Sequence, residues 1–147
     1  MQSAGFHILV SGLHSNSVAS ALNGLHDLSH IFLAGVVVKD TPGAKYSELE
    51  YEVLDVMDTD EGTLTYVLVE LITGRHHQIR AQFAKRKCGI WGDTKYNPKF
   101  QKTKKKYKEI GLHASRLEFD HPTTGEHMVF KHEPEGGAFA ILDLDEF

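Results

Sequence analysis

"ELEYEVLDVMDTDEGTLTYVLVELI", Glu48 to Ile72, is the stretch that decides how this chain folds. Leu49, Tyr51 and Val53 alternate with Glu48, Glu50 and Glu52, so Glu48 to Val56 reads as a strand with one solvated face. Thr63 to Ile72 is apolar on both faces over much of its second half, which suits a central strand. The intervening "DTDEG" is a turn, and the two strands are expected to pair as an antiparallel hairpin.

Downstream, Gly74 breaks the second strand and His76 to about Lys87 reads as a helix. Ile79 and Phe83 lie one turn apart on its apolar side, while Arg80 is about 100° round, beside that stripe. The Lys-rich run "KFQKTKKKYKE", Lys99 to Glu109, has too few apolar residues to define a buried face and is expected to be an exposed loop. Beyond it, "LHASRLEF" reads as a strand, "DHPTTGE" as a turn and "HMVFKHE" as the hairpin partner, with "AFAILDLDEF" adding a last strand. Upstream, "FHILV" (Phe6 to Val10) and Ile31 to Val38 are strand candidates, and the Pro-Gly pair of "KDTPGAK" marks a turn. Ser15 to Leu28 carries Val18, Leu22 and Leu25 at helical spacing but stays ambiguous. The sum is a single α+β domain over residues 1–147, its sheet mixed but mostly antiparallel, with few helices.

A chain of 147 residues is long enough to bury a core, and its 41% hydrophobic and 24% charged residues fit an ordinary soluble protein. The longest apolar stretches are too short to cross a bilayer, and the amino terminus lacks the basic segment of a signal peptide. A lone cysteine, Cys88, excludes an intrachain disulfide framework and fits a reducing compartment, with cytoplasm as the default. The formal charge of -4 hides an asymmetry: Gly74 to Lys108 holds twelve Lys/Arg against one acid, Asp93. The remaining residues hold four Lys/Arg and nineteen acids. An acidic body with one concentrated basic segment suits a polyanion site, though a solvated Lys-rich loop would produce the same count.

Among motifs that carry chemistry, "HDLSH" (His26 to His30) spaces two imidazoles as zinc-binding helices do, but it has Asp27 where a general-base glutamate is needed and no third ligand. Cys88 has no base that the sequence can place beside it and reads as a core or edge cysteine. No phosphate-cradling glycine-rich spacing occurs. "GRHHQIRAQFAKRKCGIWGDTKY", Gly74 to Tyr96, differs because several residue types suit one task. Arg75 at the strand-to-helix junction can set a guanidinium against a phosphate, aided by helix amides. His76, His77 and Gln78 can donate to sugar or base oxygens, and Lys95 with Tyr96 combines charge with a stacking ring. The alternative is that Arg80 pairs with a strand carboxylate on a merely solvated helix.

"GRHHQIR", then "GDTKY", then "GLHASRLEFDHPTTGE" and "VFKHEP", resembles the carboxyl-terminal half of the RluA-type RNA pseudouridine synthases, over roughly Ala44 to Pro134. "GFHILVSG" resembles the end of a further family strand, with Phe6 standing where the family has tyrosine and Ala4 where it has lysine. The resemblance implies a mostly antiparallel sheet crossed by a positively charged cleft, into which a uridine is flipped from structured RNA, ribosomal or transfer. It also implies attack by an aspartate, rotation of the detached base and its return through carbon, with no metal or organic cofactor. Arg80 matches the arginine that keeps this aspartate ionised, Leu112 an apolar pocket residue, and Phe6 the tyrosine position. Arg75, His77, Gln78, Lys95, Tyr96, Lys104, Lys105 and Lys106 are the expected RNA contacts. The family's H-R-L-D segment, which carries the nucleophile, does not occur in these 147 residues. The expectation is therefore a shortened synthase-like domain, inactive alone, that binds RNA or pairs with a second copy through an exposed sheet edge.

Overall fold

The structure is a computed structural model; it describes residues 3–11, 29–32, 35–37, 41–60, 62–102 and 109–141, with backbone only at 29–32 and 35–37. In chain order these form β1 (Ser3–Ser11), β2 (Ser29–Phe32), β3 (Gly35–Val37), β4 (Lys45–Ser47), β5 (Leu49–Thr59) and β6 (Gly62–Leu71). Then come α1 (Gln78–Lys85), the short α2 (Pro98–Gln101), β7 (Leu112–Asp120), β8 (His127–Lys131) and a 3-10 helix, Gly137–Ile141. The main sheet runs β5-β6-β1-β7-β8, with every pairing antiparallel, and β3-β2-β4 make a small second sheet.

The Glu48 to Ile72 hairpin forms as β5 and β6, from Leu49 opposite Leu71 to Thr59 opposite Gly62. β6 lies inside the sheet between β5 and β1, as its two apolar faces require. Alternation holds for buried Leu49 and half-buried Tyr51 but fails at Val53, which is exposed beside a register shift between Val53 and Asp55. An extra residue there turns the following side chains to the other face.

One face of the sheet sets Ile8 and Val10 of β1, Leu49 of β5, and Val67 and Val69 of β6 against Ile79 and Phe83 of α1. Burying a side chain such as Phe83 is worth about 1.5–3 kcal/mol, which anchors a helix of only two turns. Cys88 and Ile90, just past α1, complete that cluster. The opposite face packs Leu9 and Tyr66 on Ala138 and Phe139 of the 3-10 helix.

Three expectations are corrected. The helix read from His76 to Lys87 is confined to Gln78–Lys85, because His77 and Lys87 both adopt left-handed backbone, at φ 52 and φ 62. Past its end, Cys88 N–H donates to Phe83 O and Lys87 N–H to Ala84 O, a Schellman closure. The strand read over Ile31 to Val38 is instead β2 and β3, folded back so that Phe32 pairs with Gly35. The last strand is not formed over 137–141, where Gly136 and Gly137 at φ 55 and φ 52 turn the chain into the 3-10 helix. Ser15 to Leu28 lies outside the described residues.

Candidate nucleic-acid interface

The end of β6 and the start of α1 are joined by a side-chain latch. Gln78 is only 2% exposed; its Nε2 donates to Glu48 O (2.9 Å), and its Oε1 accepts from Thr73 Oγ1 (2.9 Å) and Arg75 N–H (2.9 Å). Glu48 N–H in turn donates to Thr73 Oγ1 at 2.8 Å. Gln78, read from sequence as an RNA contact, is thus turned into the protein, where it ties the start of the helix to the backbone at both ends of the hairpin. Arg75 stays exposed, with Nε donating to Tyr46 O at 2.9 Å. His76 is also exposed and stacks on His77 at 3.8 Å between ring centroids.

A second segment, Gly89 to Tyr96, is fastened to the end of β1. Trp91 N–H donates to Leu9 O and Ser11 N–H to Gly89 O, both at 2.8 Å, while Gly111 N–H donates to Trp91 O at 2.8 Å. Gly92 sits at φ +77, and a Cβ there would lie 2.8 Å from Glu109 O, so this turn requires glycine. The turn delivers Asp93 beneath α1.

Asp93 is fully buried and accepts four hydrogen bonds. Arg80 Nε donates to Oδ2 at 2.8 Å and Nη2 to Oδ1 at 2.8 Å, a bidentate pair. The N–H groups of Lys95 and Tyr96 donate to Oδ1 at 3.0 and 3.1 Å. Burial opposes the charge on Asp93, but the Arg80 hydrogen bond and the two amides outweigh it and hold the carboxyl below its usual range. The bond to Asp93 raises the Arg80 guanidinium further, and that side chain is only 20% exposed.

Arg80 is paired not with a strand carboxylate but with a turn residue thirteen positions on. The signal for this partner was present in sequence, since Asp93 is the only acid between Gly74 and Lys108. Both of its oxygens are engaged and shielded from solvent, so Asp93 is not placed to attack a substrate.

The remaining site residues group around this pair. His77 Nδ1 lies 2.9 Å from Tyr96 Oη and His77 Nε2 lies 3.4 Å from Arg80 Nη1. The Arg80 guanidinium and the Lys95 ammonium lie 5.0 and 5.4 Å from the Tyr96 ring centroid, within cation–π reach. Lys95 is exposed and Tyr96 half-buried. Phe6 and Leu112 flank the core on the face of the sheet that α1 covers, so all three family positions lie on that side. Lys104, Lys105 and Lys106 lie outside the described residues, as does the side-chain pair of "HDLSH". Among the described residues, no group of three or more His, Cys, Asp or Glu could hold a metal. Cys88 is buried as read, and burial pushes its thiol up to about 12.

No family model matches the chain. Similarity to individual proteins is nevertheless consistent. The uncharacterised RNA pseudouridine synthase YlyB of Bacillus subtilis is 43% identical over 81 residues, covering 54% of this chain and 26% of that one. Ribosomal large subunit pseudouridine synthase D of Vibrio cholerae is 36% identical, over 48% of this chain and 24% of its own length. tRNA pseudouridine synthase C of Salmonella typhimurium is 39% identical, over 47% and 29%. In structure, the chain superposes on human RNA Pseudouridylate Synthase Domain Containing 1 with a TM-score of 0.65 and 19% identity, over 90% of this chain and 55% of the other. Over about half of its length the chain is similar to RNA pseudouridine synthases.

The chain spans about a quarter of the length of the curated proteins it matches. The fold shared with the human protein is the mostly antiparallel α+β sheet described above. Within it, the arginine of "HQIR" and the aspartate of "GDTKY" are the two ends of one buried ion pair.

Proposed function

We propose that this chain is the RNA-facing part of an RluA-type pseudouridine synthase, which grips structured RNA, ribosomal or transfer, and does not isomerise uridine alone. Arg75, Lys95 and Tyr96 are the contacts, joined by the Lys104–Lys105–Lys106 run; Phe6 and Leu112 line the base pocket beside Arg80. The observation that carries the reading is the closed Arg80–Asp93 pair. It supplies no free carboxylate to attack a ribose, and the segment around it is otherwise cationic. Formation of the covalent adduct would need an H-R-L-D aspartate, which these 147 residues do not contain. The residues 1–147 act as one domain, in the reducing cytoplasm that a lone buried thiol suits; no described helix is long and apolar enough to cross a membrane.

The test uses RNA tritiated at uridine C5, incubated with the purified chain and split between filter retention and release of label. Retained RNA with no tritium release is expected. Release above blank refutes inactivity, and no retained RNA refutes the grip.

A second reading, self-association, is favoured by the two outer strands of the main sheet. β5 exposes Val53, Leu54 and Val56, and β8 exposes Val129 and Phe130, the latter at 52%. Light scattering that returns a monomer over the working concentration range removes this reading.

A further inference from the structure

His77 lies between two groups whose hydrogen-bonding roles decide its own. Arg80 Nη1 is 3.4 Å from His77 Nε2, and a guanidinium can only donate, so Nε2 accepts and carries no proton. The neutral ring then keeps its proton on Nδ1, which donates to Tyr96 Oη at 2.9 Å. The tyrosine oxygen is thereby an acceptor toward the ring, and its own hydrogen is directed elsewhere. Among the described residues Tyr96 Oη makes no other hydrogen bond. We propose that His77 is a positioning residue that sets Tyr96 as an outward hydrogen-bond donor to an oxygen of RNA. The proposal rests on the RNA-facing reading of this surface.

Three further observations support it. His77 is held at φ 52 and ψ 28, a left-handed conformation uncommon for a residue with a β-carbon, and its ring is clasped on several sides. His76 stacks on it at 3.8 Å, and Tyr96 meets it edge-on at 5.6 Å and 86°. Burial, then Arg80, His76 and Lys95, disfavour a second proton on the ring, against which Asp93 acts in the other direction; the balance lowers its pKa. The Tyr96 ring already engages two cations, which leaves the hydroxyl as its group for recognition.

The tautomer is read by long-range nitrogen–proton NMR of the uniformly labelled full chain, with His77 assigned by its loss in His77→Gln. The expected pattern at neutral pH is a protonated Nδ1 and a bare Nε2, the reverse of free histidine's preference. In parallel, Tyr96→Phe should weaken RNA binding roughly two- to tenfold, the worth of one hydrogen bond, and should weaken it little further in a His77→Phe background. A protonated Nε2, or Tyr96→Phe binding RNA as tightly as the unmodified chain, overturns the proposal while RNA binding stands. An unmodified chain that binds no RNA overturns it through the function it rests on, whatever the tautomer.

Discussion

Replacing Asp93 by asparagine separates a structural carboxylate from a catalytic one. The fully buried carboxylate accepts four hydrogen bonds and neutralises Arg80. Asparagine is nearly isosteric: its oxygen can keep the Lys95 and Tyr96 amides and Arg80 Nη2, but its NH2 group then faces Arg80 Nε, donor to donor. Removing one partner of a buried pair costs about 3–5 kcal/mol, and the lower end applies because Arg80 keeps 20% exposure and some water. With a urea slope of about 1.5 kcal/mol per molar, a loss of about 3 kcal/mol lowers the midpoint by about 2 M. The pH dependence carries a second signature. Because the folded carboxyl lies below its ordinary value of 3.8, the unfolded chain binds more protons there. The contribution of Asp93 is thus complete above that value and is lost as pH falls through the folded one. Urea titrations of both proteins at neutral and acid pH are the assay; Asp93→Asn should be less stable at neutral pH and should lose less on acidification. An unchanged midpoint at neutral pH would refute the assignment of Asp93 to the fold.

Other outcomes follow from the same geometry. Gln78→Ala should destabilise by about 1–3 kcal/mol by chemical denaturation, since it leaves the Arg75 amide without its acceptor while Glu48 O keeps the Ile72 and Thr73 amides, and RNA affinity of the folded fraction should be unchanged. Lys87→Gly should raise stability by roughly 0.5–1 kcal/mol, because the left-handed residue closing α1 carries a β-carbon that glycine lacks. Cys88 should resist thiol reagents at neutral pH until the chain unfolds, read by the rate of labelling against denaturant. His127, hydrogen-bonded to Asp120 and close to Glu118, should titrate above the ordinary histidine value by NMR and move back toward it in Asp120→Asn. Its small contribution to stability is complete below the ordinary value and lost as pH rises through the raised one.

Residues whose partners are near in sequence were legible. The β5–β6 hairpin announced itself through the Glu–apolar alternation from Glu48, and α1 through Ile79 and Phe83, both of which reach the core. The helix start was not legible, because it depends on Gln78 reaching the backbone of Glu48, thirty residues away, and on a left-handed His77. Ile31 to Val38 is apolar throughout, which permits one long strand or two short ones, and pairing of β2 with β4 goes with the second. At the site, residue types and motif order pointed to one surface, while the identity of Arg80's partner needed the turn that Gly92 makes. A motif read alone could not show that Asp93 swings back under the helix.

The claim that RNA is held through phosphates on this cationic surface is tested most directly by the salt dependence of affinity. Binding of a structured RNA should fall steeply between low and moderate salt, and the logarithmic slope should become shallower by about two in an Arg75→Ala, Lys95→Ala double variant. An affinity that stays flat with salt, or a slope the double variant leaves unchanged, would contradict the account.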